Sequence, residues 1–206
     1  MKKTTLTYSA LALLIGCSGC SYNTQSTPNS WLKTHGLSTP TDLGEMTLCQ
    51  NFGCTKSKSI QLSTDELKLV QLLFTPLPTN AAAERERIAQ AIGLLEKITG
   101  PRIGTENDLA KNAFGFSFES NQLDCVAESN NTSTYLLLLQ SLELLKYHRV
   151  GGNMHRGLFT LHAPHNSAAV IENDTDHAYA VDSWFRPNGE AAWIIESEHW
   201  LSGATP

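Results

Sequence analysis

No cluster of basic residues occurs anywhere in the 206-residue chain, which carries 15 Lys and Arg against 20 Asp and Glu. Binding to a polyanionic backbone needs such a cluster, so nucleic acid is not an expected partner. No internal repeat is present either. Beyond the first sixteen residues no apolar run is long enough to cross a bilayer as a helix. The nearest approach, Leu136 to Leu145, is interrupted by Gln140, Ser141 and Glu143, whereas a span needs about 20 apolar residues. Histidines are present, but the spacings of His148, His155, His162, His165 and His177 match no H-x-x-x-H pair or comparable ligand signature. Neither a metal nor another cofactor is expected.

What is there begins at the first residues. Met1-Lys2-Lys3 is a short basic segment, and Thr4 to Ile15 is an apolar stretch followed by the small Gly16. That is the secretory pattern, too short for a spanning helix. Leu14-Ile15-Gly16-Cys17 resembles the lipobox of bacterial lipoproteins. The resemblance implies a signal peptide over 1–16, cleavage before Cys17, diacylglycerol on its sulfur and a membrane held through that lipid. Cys20 is the rival site, with Cys17 instead of Leu14 at its third preceding position. Ser18 in place of Asp after the anchor implies, by the same resemblance, the outer membrane and a periplasm-facing domain. Loss of Lys2 and Lys3 would move the net charge from −5 to about −7. Residues 17–41, rich in Ser, Thr, Asn and Pro, read as a flexible tether, and 42–206 as one domain.

Of five cysteines, Cys49 and Cys54 are close enough to close a small disulfide loop in an oxidising compartment. The alternative is half of a metal site, though no second ligand pair lies nearby. Cys125 is left without an obvious partner.

Ser63-Thr-Asp-Glu66 has capping-box spacing and predicts a helix to about Phe74, stopped by Pro76 and Pro78. Asn80 to Thr99 predicts a second, striped by Ile88, Ala91, Ile92 and Leu95 and ended by Gly100-Pro101. Residues 101–121 read as loop. The pattern from Cys125 to Tyr147 is helical again, and Leu136 to Leu139 are apolar all round, so that helix should be central. Then the period becomes that of strands: Gly157–Leu161, His165–Ile171, Ala178–Phe185 and Ala192–Ile195. The expected class is α+β, with helices packed on a small antiparallel sheet.

A cysteine that opens a helix meets unpaired backbone N–H groups and the positive end of the dipole, which favour thiolate and can hold an oxyanion. A thiolate nucleophile needs a histidine to take its proton, and that histidine needs a third group to fix its tautomer. His165 opens one strand and Asp182 lies in the next, across a polar turn, so a hairpin would set them side by side. By strand parity Asp182 shares a face with Ala178, Ala180 and Trp184, small enough in part for a helix to pack closely, while His177 faces the other way. His162 competes with His165 for the role of base. Each residue also has an ordinary reading: Cys125 as a small core residue, His165 as a surface histidine, Asp182 as a turn carboxylate.

Asp124-Cys125-Val-Ala-Glu-Ser-Asn-Asn, His165-Asn-Ser-Ala-Ala-Val-Ile and Ala180-Val-Asp182-Ser-Trp184-Phe, in that order, resemble the transglutaminase-like branch of the papain-like cysteine protease superfamily. These segments, with Trp200-Leu-Ser-Gly203, also resemble a set of uncharacterised proteobacterial proteins. The resemblance spans roughly residues 120 to 203 and implies a papain-like core with Cys125, His165 and Asp182 as nucleophile, base and orienting group. The Cys125 backbone N–H with Gln122 or Asn121 would hold the oxyanion. The expected activity is thiol-dependent acyl transfer, mainly hydrolysis of an amide or peptide bond. The alternative is a non-catalytic binding or scaffolding lipoprotein on the same fold.

Overall fold

The computed structural model describes residues 27–112, 121–157 and 163–206. The expected signal peptide over 1–16, Cys17, Cys20, His162 and nearly all of the Gly157–Leu161 strand lie outside them.

Pro28–Thr34 forms helix α1, started by Pro at its first turn and by the Thr27 hydroxyl, which accepts the Ser30 N–H. Leu32 within it is fully buried in the main core. The flexible tether read over 17–41 is therefore corrected at its C-terminal part, where Leu32 and Leu37 are both buried in the core.

Two strands absent from the sequence reading follow, β1 (Glu45–Cys49) and β2 (Ser57–Gln61), paired antiparallel. β1 buries Met46 and Leu48 in alternation, but β2 is Ser-Lys-Ser-Ile-Gln, mostly exposed, with too little apolar signal to be read. A short 3-10 turn over Phe52–Cys54 closes the hairpin, and Cys49 and Cys54 are disulfide-bonded with Cα atoms 4.8 Å apart.

Helix α2 (Thr64–Leu73) has the capping box that Ser63 and Glu66 predict. Helix α3 (Ala81–Ile103) is capped by the Asn80 side chain and runs through Gly100-Pro101, where the sequence predicts its end. Pro101 forfeits one N–H, but its φ is already helical, so the last turn survives. Gly104, at φ 84°, supplies the left-handed termination.

Helix α4 (Cys125–Ser141) is the central element, buried from Ala127 through Leu139. It ends at Ser141, six residues short of the expected Tyr147, and the chain turns into β3 (His148–Val150). β4 (Met154–Arg156), β5 (His165–Glu172), β6 (Ala178–Asp182) and β7 (Trp193–Glu196) complete a second antiparallel sheet in the order β3-β5-β6-β7, with β4 also on β5. The short helix α5 (Ser197–Leu201) ends the fold.

This is an α+β arrangement of helices and small antiparallel sheets. Ala168, Val170, Tyr179 and Val181 join the core of α4, while Ala169 and Ala180 pack with Met154 and the Trp200 of α5. The two faces of β5 and β6 thus carry two cores, as period-2 alternation requires. The first half of α4 is buried yet polar, and most of its polar side chains are paired. Asn131 bridges both backbone groups of Cys49, at 2.7 and 3.1 Å. Thr132 meets Ser183 at 2.9 Å, Ser133 donates to Asn153 at 2.8 Å, and Tyr135 meets Thr99 at 2.7 Å.

Candidate active site

Cys125 is the first residue of α4 and is partly exposed, the one free cysteine among the described residues. Asp124 caps its helix: one carboxylate oxygen accepts the Ala127 N–H at 2.9 Å, and both oxygens accept the Gly53 N–H at 3.0 Å. The disulfide-closed turn of the first hairpin therefore grips the cap of the helix that presents the thiol. At the first two helical positions the N–H groups of Cys125 and Val126 have no intrahelical acceptor.

Ala168 of β5 lies opposite Val181 of β6, and continuing that register puts His165 and Asp182 on one face. Their side chains meet at 2.7 Å, His165 Nε2 to Asp182 Oδ2, both buried. The Trp200 indole N–H donates to the same oxygen at 2.7 Å. Three rings pack on the imidazole, with centroids at 4.6 Å for Trp184, 5.3 Å for Phe185 and 5.5 Å for Trp200. Burial alone would lower the His165 pKa. The Asp182 hydrogen bond and the nearby Cys125 outweigh it and raise the pKa to about 9. A ring that gives Nε2–H to a carboxylate is left with Nδ1 for the thiol. Cys125 is, after Asp182, the second group that adds to that rise.

The hydrogen bond that the sulfur does receive comes from a residue the sequence did not point to. Asn166 Nδ2 approaches Cys125 Sγ at 3.8 Å, and the Asn166 carbonyl oxygen meets His155 Nδ1 at 3.0 Å. Asn166 and Trp200 leave no spacing signal, because each is brought in by a different strand or helix. Trp200 lies in the tail segment that carried the resemblance, but nothing there shows that its indole reaches Asp182.

Gln122 and Asn121 lie just before the helix. The Gln122 side-chain oxygen accepts from Leu109 N–H at 3.1 Å and from the Asn112 amide, and its nitrogen donates to the Asn107 carbonyl at 3.0 Å. Asn121, exposed at φ 95°, packs its side chain over Gly104. Neither makes a hydrogen bond to the sulfur; Asn166 does. His177 is exposed at the turn before β6.

Glu128, one turn into α4, accepts the Ser183 hydroxyl at 2.6 Å. Burial first, then neighbouring Glu96 and Asp108, push its pKa well up, which favours the uncharged acid. His148 belongs to another network: its ring meets the buried Glu84 at 2.8 Å and Arg85 at 3.1 Å, away from the thiol. Among the described residues no helix is long and apolar enough to cross a membrane, and no three His, Cys, Asp or Glu side chains could jointly hold a metal ion. No protein-family model, no curated protein and no solved structure matches this chain.

Proposed function

We propose that the chain is an envelope lipoprotein, acylated at Cys17, whose domain hydrolyses an amide or peptide bond through a Cys125-His165-Asp182 relay on a papain-like core. The observation that supports this most is the buried 2.7 Å His165–Asp182 hydrogen bond beside a cysteine that opens a helix.

In this reading Cys125 Sγ attacks the carbonyl carbon and the C–O π electrons move to oxygen. The Cys125 N–H and the Asn166 side-chain amide stabilise that oxyanion. His165, charged at neutral pH, hands its Nδ1 proton to the departing amine as the C–N bond breaks, and then takes one from the water that cleaves the thioester. Asp182 holds the ring in the tautomer this needs, and Trp200 holds Asp182.

Iodoacetamide tests the premise. At pH 6 it should alkylate Cys125 in the folded protein at least tenfold faster than in the denatured one, read by mass spectrometry of the Cys125 peptide. Cys125→Ala should remove that label. A folded-state rate equal to that of the denatured thiol sinks the reading.

A further inference from the structure

Arg156 is the only arginine buried among the described residues, at 6% exposure, and it has no carboxylate partner there. Arg85, Arg102 and Arg149 pair with Glu172, Glu66 and Asp176. Arg156 instead donates through Nη1 to the carbonyls of Trp200 at 2.5 Å and Ala204 at 3.1 Å, with its guanidinium 4.6 Å from the Trp200 ring. These contacts fix its place without cancelling its charge. Its Nε–H is buried and has no hydrogen-bond acceptor among those residues. A buried donor on a permanent cation is costly to leave unmet.

The same arginine lines a cavity of about 350 Å³ with Lys111, His165, Trp184, Phe185 and Thr205. That volume falls at the lower end of the roughly 300–1,000 Å³ usual for ligand sites. Among the described residues Lys111 too is without an ion pair, and its ammonium stands 5.7 Å from the Phe185 ring. Arg156, Lys111 and the imidazolium of His165 outnumber Asp182 here, in a chain whose net charge is −5. The surplus is local, and His165 is part of it.

We infer that this cavity is a carboxylate subsite: the substrate is an amide bearing a free carboxylate, which the Arg156 guanidinium and Lys111 receive while Trp184 and Phe185 wall its apolar part. This deepens, and in its catalytic sense rests on, the thiol reading above. A carboxylate is the anion a peptide-like substrate carries, and its two oxygens suit two separate donors.

The test uses full-length Cys125→Ala protein, so that it stands or falls apart from thiol reactivity. N-acetylglycine and N-acetylglycinamide are titrated against the Arg156 Nε–H and the Trp184 and Trp200 indole signals by 15N NMR. The acid should bind at least tenfold more tightly than the amide. Arg156→Met should erase the preference, and Lys111→Met, a surface change that leaves the fold intact, should reduce it severalfold. Equal binding of acid and amide, or a preference that survives Lys111→Met, overturns the inference. So does inorganic phosphate binding as tightly as the acid.

Discussion

At Asp182 a single oxygen takes two buried donors, the His165 imidazole and the Trp200 indole. With one carboxylate opposing the desolvation of a buried ring, Asp182→Asn has a definite direction. Burial would then be opposed by Cys125 alone, and the His165 pKa should fall from about 9. Titration of the His165 ring protons by NMR checks this, and an unchanged midpoint would show that Asp182 is not the cause. The linkage has a sign as well. A raised pKa means the folded protein holds a proton more tightly than the unfolded chain. That stability is complete below about 6.5 and is lost as pH rises through 9. The positions of Cys125, His165 and Asp182 were legible in the sequence because a helix start and a hairpin impose regular spacing. Asn166, Trp200 and Arg156 were not, since their roles depend on which strand or helix lies against which.

Among the elements, the first hairpin and α4 are joined more closely than the sequence suggests. Cys49 and Cys54 close the turn that carries Gly53, and Gly53 N–H meets the Asp124 carboxylate that caps α4. Closing so short a loop contributes about 2 kcal/mol by restricting the unfolded chain. The Cys49→Ala/Cys54→Ala protein should unfold at lower denaturant by about that amount. It should also lose several-fold in Cys125 alkylation rate, because the cap loses a partner. An unchanged alkylation rate would separate the hairpin from the site. The 5-residue spacing of the two cysteines was enough to read the loop. β2 was illegible because its residues are nearly all polar and exposed, and α1 because it is only seven residues long and mostly polar.

For the molecule as a whole, the notable electrostatic load is a set of buried acids between α3, α4 and the preceding loop. Burial first, with Asp108 nearby, raises the Glu96 pKa to about 8; one of its oxygens accepts the Gly189 N–H at 3.0 Å. Asp108 and Glu128 are raised as well, again chiefly by burial. The folded state therefore keeps a proton on Glu96 that the unfolded chain releases above its ordinary 4.5. Its contribution is complete below that value and declines as pH climbs through 8, at about 1.4 kcal/mol per pH unit. Glu96→Gln should flatten the fall in stability between pH 5 and 8, measured by urea denaturation across that range. A slope identical to the parent's would place the proton elsewhere. The α+β class could be read from the change of period after residue 147, whereas this acid cluster could not, because its members lie on separate segments.

The polar half of α4 is tied to β1, α3, Asn153 and Ser183, each bond naming a different neighbour. A rod anchored at so many points cannot rotate or slip by a turn to suit its first residue. Position 125 is thus an address set by the surrounding scaffold, and serine installed there would present its hydroxyl from the same backbone position as the native thiol. The fold offers a fixed frame on which oxygen and sulfur nucleophilicity can be compared with the backbone held constant.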